Sequence, residues 1–392
     1  MGTIVYLCTI HYIYTVMINR TILSKLTGDF GLGKVLIIIG ARQVGKTTLV
    51  ETLAAGRQRV LMLNCDNMDD RMALENKTTT QLRAMIDGHD MVFIDEAQRV
   101  AGIGLVIKMI GDMHLDTPVV VTGSSSLDLA DGFYELAAGC HVDYQLFPLS
   151  VEELVAHTSE REERRMLETR LIYGTYPEVV VSPADARRRL MTLSNDYLYK
   201  DILSYKGLKK PEVLQKLLRA LALQVGSEVS YNELSGLLGI DKATVESYIG
   251  LLEKCFVIFR LDSFSRNLRN EIKKGKKVYF YDNGIRNAII SNFAPPELRG
   301  DMGALWENFM VSERRKRHAY HGTYTQMYFW RTHEQKEIDL VEETDGRLSA
   351  YEFKWSGRVR ASMPAAFAKS YPGSTFEVIT PDNYVKFLSR PE

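Results

Sequence analysis

The octapeptide Gly40-Ala41-Arg42-Gln43-Val44-Gly45-Lys46-Thr47 stands between an apolar run, Lys34-Val35-Leu36-Ile37-Ile38-Ile39, and a helix-like stretch, Thr48-Leu49-Val50-Glu51-Thr52-Leu53. Glycines at a strand-to-helix turn leave main-chain amides open to a phosphate chain, with the positive end of a helix dipole behind them. A mostly parallel α/β sheet is the architecture that presents such a loop. Lys46 is the candidate for the β and γ phosphates and Thr47 for a magnesium ion. Gly40, Arg42, Gln43, Val44, Gly45 and Thr48 complete the expected cradle for ATP.

The segment Asp90-Met91-Val92-Phe93-Ile94-Asp95-Glu96-Ala97 reads as a short buried strand with two acids at its carboxyl end, where α/β sheets present catalytic groups. Asp95 is the candidate for holding magnesium, and Glu96 for polarising the water that attacks the γ phosphate. Further apolar runs at Val60 to Leu63 and Val119 to Val121 complete the alternation of strands and helices expected from Ile18 to about residue 158. After the last run comes Thr122-Gly123-Ser124-Ser125-Ser126. Thr122 and Ser124 are either γ-phosphate sensors or caps of the next helix.

The chain has 392 residues, too many for one ordinary core. Lys plus Arg and Asp plus Glu both total 49, so global charge singles out no nucleic acid partner, although local patches remain. Cys8, Cys65, Cys140 and Cys255 form no C-x-x-C pair, which argues against a zinc site or disulfide framework and for a reducing, cytoplasmic setting. The apolar run from Thr3 to Met17 falls short of the ~20 residues a spanning helix needs and lacks a basic flank. It is expected to be an added strand, a packing segment, or residues upstream of a start at Met17, with no membrane partner.

Residues 159–212 are helical and charged, interrupted by the turn Tyr173-Gly174-Thr175-Tyr176-Pro177-Glu178, and are expected to form a lid or connector. Residues 213–262 hold two helical patterns, from Tyr231 and from Lys242, joined by a Gly-containing turn and followed by the strand-like Phe256 to Leu261. This order suggests a winged helix, although Asp241 and Glu246 beside Lys242 suit DNA poorly and favour packing or a protein contact.

From residue 263 to 392 the expected elements are a helix around Trp306-Glu307-Asn308-Phe309 and strands near Tyr328 to Trp330, Glu337 to Val341 and Ser349 to Trp355. Thr344-Asp345-Gly346-Arg347 supplies the turn between the last two strands. Alternation puts Ala350, Glu352 and Lys354 on one face of the final strand. Asp339, Glu352 and Lys354 are thereby expected to meet at one end of a hairpin, with Glu307 as a further carboxylate. Two carboxylates with a lysine suit magnesium and a phosphorane-like transition state; a solvated acid–base pair is the plainer alternative. Basic clusters at Arg266, Arg269, Lys273, Lys274, Lys276, Lys277 and at Arg314 to Arg317 either track a phosphate backbone or form a soluble surface.

Taken together, Gly40 to Thr48, Phe93-Ile94-Asp95-Glu96-Ala97-Gln98, Thr122 to Ser125, Phe147-Pro148-Leu149-Ser150-Val151-Glu152-Glu153 and Tyr176-Pro177-Glu178-Val179-Val180 resemble the prokaryotic AAA-type ATP-binding proteins with a C-terminal domain of unknown function. Lys277 to Gly284, Glu337-Ile338-Asp339 and Glu352-Phe353-Lys354 are similar to that C-terminal domain. The resemblance implies a P-loop ATPase core, a winged helix and a restriction-endonuclease-like end. Such proteins usually have Gly-Arg where this chain has Gly139-Cys140. If that arginine touches the γ phosphate, its loss slows hydrolysis, by roughly 10³ to 10⁵ where a finger is used.

Three functions follow as expectations: a slow magnesium-ATPase acting as a switch on a winged-helix and nuclease-like effector, an ATP-gated nuclease using Asp339, Glu352 and Lys354, or a scaffold that nucleotide only stiffens. Nucleic acid or protein through the tail, and further copies of the chain, are the candidate partners besides ATP.

Overall fold

The computed structural model describes residues 17–124, 139–198, 210–265, 275–332, 334–357 and 361–389. The apolar run before Met17, Ser125 and Ser126, and Arg266, Arg269, Lys273 and Lys274 lie outside the described residues.

Five parallel strands, β1 (Val35–Ile39), β2 (Val60–Asn64), β3 (Met91–Asp95), β4 (Val119–Gly123) and β5 (His141–Gln145), form a sheet in the order β2-β3-β4-β1-β5. The near-continuous apolar runs of β1, β3 and β4 are explained by burial on both faces. Val35, Ile37, Val92, Ile94, Val119 and Val121 pack into one layer with the helices Thr79–Ile86 and Ile103–Gly111. Leu36, Ile38, Phe93 and Val120 pack into the other, with the helices Leu23–Gly28 and Lys46–Ala54 and with residues from far along the chain. β4 separates β1 from β3, so the loops after all three open at one edge.

A second sheet has seven strands among the described residues: β6 (Glu228–Val229), β7 (Ile258–Ser263), β8 (Lys276–Phe280), β9 (Gln326–Arg331), β10 (Glu337–Thr344), β11 (Arg347–Phe353) and β12 (Thr375–Ile379), in the order β12-β11-β10-β9-β7-β8-β6. The β10–β11 turn has Asp345 and Gly346 at φ of +50° and +77°, the pairing that a two-residue hairpin turn requires. β11 is not the last strand: β12 joins it in parallel, from Ser349↔Thr375 to Phe353↔Ile379. The helices Pro211–Leu223, Tyr231–Leu238 and Lys242–Lys254 share a core with Ile258, Val278 and Phe280 of β7 and β8. The antiparallel β7–β8 pair therefore serves this helical unit and the large sheet at once, and the expected division at residue 262 falls inside β7.

The long helix Met302–His321 joins the two halves. Fourteen of its 20 residues are buried, charged ones included, because both sheets pack against it. This overturns both expectations for Arg314 and Lys316 of the basic run. Arg314 pairs with Glu342 at 2.6 Å and Lys316 with Glu313 at 2.6 Å inside the protein. Lys277 is likewise buried, held by Glu307 at 2.9 Å and by Glu337. These cations neither track a surface polyanion nor form a solvated face.

Candidate functional site

The loop at 40–45 leaves β1 and enters the helix Lys46–Ala54 with Gln43 at φ +61° and Gly45 at φ +95°. A side chain at Gly45 would strain the left-handed backbone, and a Cβ at Gly40 would overlap the Leu146 carbonyl. Both glycines are thus required by geometry, and the cradle they shape fits a phosphate chain. Lys46 donates from Nζ to the carbonyls of Gly40 and Ala41, each at 2.9 Å, so its ammonium lies folded onto the loop. A cleft of about 810 Å³ opens over Arg42, Gly45, Thr47 and Thr48, with Glu96 on one side and Pro177 and Glu178 on another.

Asp95 ends β3 directly beside the loop. Thr47 Oγ1 donates to Asp95 Oδ2 at 3.0 Å, and Thr122 of β4 donates to Oδ1. Glu96 follows with φ +51°, its amide on Asp95 Oδ1 at 3.0 Å. Gln98 donates to Glu96 Oε2 and, at 2.9 Å, to Ser124 Oγ. Thr47, Asp95, Glu96, Thr122 and Ser124 therefore converge as the sequence suggested. Ser124 stands at the strand end as an acceptor, while the helix-cap alternative concerns residues outside those described. Thr47 and Asp95 offer hard oxygen atoms, the donor set that suits magnesium, and the ion would offset phosphate charge there.

Arg20 was not legible as a site residue. Its guanidinium donates to the carbonyls of Val44 in the loop and Phe147 after β5, both at 2.7 Å, to Glu153 at 2.9 Å and to Tyr320 Oη at 3.0 Å. Burial opposes its charge, but Tyr320 and Glu153 outweigh that and raise its pKa. One side chain so fastens the loop to the long helix. A second fastening runs through the turn at 174–176. Gly174 (φ +69°) leaves no room for a Cβ beside Asp282, whose carboxylate accepts from Thr175 N at 2.7 Å and caps the helix Asn283–Ile289.

Cys140 requires a correction. Its carbonyl accepts from Val35 N and its thiol bonds Asp112, at the sheet end opposite the phosphate loop. A side chain there does not reach the γ phosphate held by its own chain, so cysteine in place of arginine removes no contact from this cleft.

Comparison with known proteins agrees with this geometry. Residues 32–155 match the family model "AAA domain", residues 164–295 a "Domain of unknown function (DUF8612)" and residues 302–385 a "Domain of unknown function (DUF4143)". The chain is thus similar to an AAA domain over residues 32–155 and to a domain of unknown function over residues 302–385. An uncharacterised protein of Haemophilus influenzae is 23% identical to this chain over 276 residues, covering 65% of the chain and 68% of that relative. An uncharacterised protein of Mycobacterium tuberculosis is 25% identical over 352 residues, covering 88% and 75%. A solved Walker-type ATPase of Pyrococcus abyssi is 14% identical, covers 70% of this chain and 96% of its own, and has a TM-score of 0.48. No helix among the described residues is long and apolar enough to cross a membrane.

The tail of the chain gathers a second group. β10 bulges between Ile338 and Val341, which places Asp339 at an irregular position. Asp339 Oδ2 accepts from Phe353 N at 2.8 Å, and Lys354 pairs with the neighbouring Glu352 at 2.6 Å. Glu307 accepts from Lys277 at 2.9 Å and Tyr279 Oη at 2.6 Å. Burial raises Asp339 to about 6, helped by Glu352, and raises Glu307 to about 7, with Asp339 adding to the rise against the pull of Lys277. The four residues expected to meet do so; Lys277, Tyr279 and Glu337, which the sequence singled out only within a basic cluster or the segments resembling the C-terminal domain, complete the group. Among the described residues no three His, Cys, Asp or Glu side chains are arranged to hold a metal ion. A cation at Asp339 and Glu352 would take its remaining ligands from water or substrate.

Proposed function

We propose that this protein is a magnesium-dependent ATPase that works as a switch, with the tail as the part switched. The convergence of Thr47, Thr122 and Asp95 beside the glycine-shaped loop carries the reading. Lys46 binds the β and γ phosphates after leaving the loop carbonyls, Thr47 and Asp95 hold magnesium, and Glu96 orients water after leaving Gln98. These resting contacts must break before chemistry and support slow turnover. Arg20 and the Thr175–Asp282 contact support transmission, because each ties a wall of the cleft to the C-terminal half. The helical unit at 211–263 has the element order of a winged helix and offers the tail a protein or nucleic acid contact. Phosphate release by purified protein tests the reading. Lys46→Ala is expected to lose nucleotide binding, whereas Glu96→Gln is expected to keep ATP and stall hydrolysis. Absence of both binding and turnover in the wild type would refute it.

A second reading, an ATP-gated nuclease, is favoured by the meeting of Asp339, Glu352 and Lys354 with Glu307 in one buried group. DNA and RNA of both strandedness, incubated with magnesium or manganese, test it. Cleavage that persists in Asp339→Ala would exclude this group as the source.

A further inference from the structure

Within the basic run of the long helix, one residue stands apart from its neighbours. Arg314 and Lys316 are neutralised by Glu342 and Glu313, but no carboxylate or hydrogen-bond acceptor meets Arg315 among the described residues. Its Nε is closed off from solvent without a partner. Its guanidinium lies over the rings of Phe259, at 4.9 Å, and Tyr281, at 5.7 Å, which fix its plane but leave its donors unused.

Arg315 borders a cavity of about 420 Å³, together with Arg260, Gln145, Thr323, Thr325 and Gln326. The other charges on this wall are matched: Arg260 by Glu253 at 2.9 Å, Asp262 by Lys276 at 3.2 Å, and His318 by Glu342 at 2.9 Å. The cavity therefore faces one uncompensated positive charge, ringed by neutral amide and hydroxyl groups. A half-buried guanidinium without a counter-ion is costly unless an anion completes it. Its fork matches a phosphate, and the Gln145 amide and the Thr323 and Thr325 hydroxyls, which bond Tyr281, His318 and Thr344 here, would turn to the remaining phosphate oxygens. The volume lies within the range that takes a small ligand.

We propose that this cavity is a phosphate-binding site, separate from the loop at 40–47, in which Arg315 makes the charged contact. The phosphate belongs to a small free phosphate compound or to a nucleic acid backbone, and the arms of the test separate these sources. The inference does not depend on ATP binding at the loop.

The test titrates the full-length chain carrying Lys46→Ala, which disables the loop at 40–47, with inorganic pyrophosphate and, separately, with a short single-stranded oligonucleotide. Arg315→Gln, added to that background, is expected to weaken binding about tenfold or more. Tighter binding of the oligonucleotide assigns the site to a backbone; binding of pyrophosphate alone assigns it to a small phosphate. If neither probe binds, or if the Arg315→Gln double variant binds like its Lys46→Ala parent, the proposal is wrong. Should Arg315→Gln fail to fold, phenylglyoxal labelling of the wild type decides. The bound probe is expected to slow modification of Arg315 about fivefold or more, and unchanged labelling overturns the site.

Discussion

Arg20 grips the back of the phosphate loop through a planar fork, and a lysine ammonium cannot reach the Val44, Phe147, Glu153 and Tyr320 oxygens together. Arg20→Lys is therefore expected to fold, to lose about 2 kcal/mol of stability, and to bind ATP about tenfold more weakly, as read by melting curves and calorimetry. Glu342 illustrates the opposite design from Glu307. Despite burial, bonds from His318 and Arg314 lower its pKa to about 2, so its contribution to stability is present above about pH 4.5 and disappears as pH falls towards 2. Glu307 and Asp339 are raised, to about 7 and about 6, so the folded state holds their protons longer than the unfolded chain does. Stability contributed by their neutral forms is present at low pH and is lost as pH rises from about 4 to 7. Glu307→Gln is expected to flatten the fall in melting temperature across that window relative to wild type; an unchanged slope would contradict the assignment. Arg20 was invisible in the sequence, and Lys277 was read there as a surface or backbone-tracking cation, because their roles come from partners far along the chain. Asp339 and Glu352 were legible because each stands out as an acid within a strand.

At the scale of elements, the turn at 174–176 links the helix Pro177–Val181, which walls the cleft, to Asp282 at the end of β8. Gly174 combines φ +69° with ψ −160°, backbone that only glycine adopts freely, and abuts the Asp282 carboxylate. Gly174→Ala is expected to cost at least about 2 kcal/mol and to weaken any effect of nucleotide on the tail; a melting temperature equal to wild type would contradict this. β1, β3 and β4 could be read closely from sequence, since buried parallel strands are continuous apolar runs, and β2 was read from its apolar Val60 to Leu63 although it lies at the sheet edge. β5, His-Val-Asp-Tyr-Gln, was not, because as an edge strand it carries polar residues in alternation. β12 escaped notice too, as another edge strand with a partly exposed pattern. The long helix misled for the reverse reason: enclosed by both sheets, it buries its cations as ion pairs, so a run of Arg and Lys stopped signalling a surface.

Across the whole molecule, hydrogen bonds link the phosphate loop to the long helix, from Val44 through Arg20 to Tyr320, and the turn before Pro177 to the end of β8, from Thr175 to Asp282. In the proposed switch these contacts are the path by which ATP biases the tail, provided that bound and free states differ in them. Phosphate binding at Arg315 would enter the same structure from its other side, because Gln145 on that cavity ends β5 opposite Ile39, one residue before Gly40. Hydrogen exchange of the full-length protein, with and without saturating magnesium-ATP, measures the path directly. Slower exchange is predicted at residues 40–48 and also at 174–176 and 276–282 in the wild type, with neither change in Lys46→Ala. Exchange that nucleotide leaves unaltered throughout, or alters only at the loop, would contradict the account.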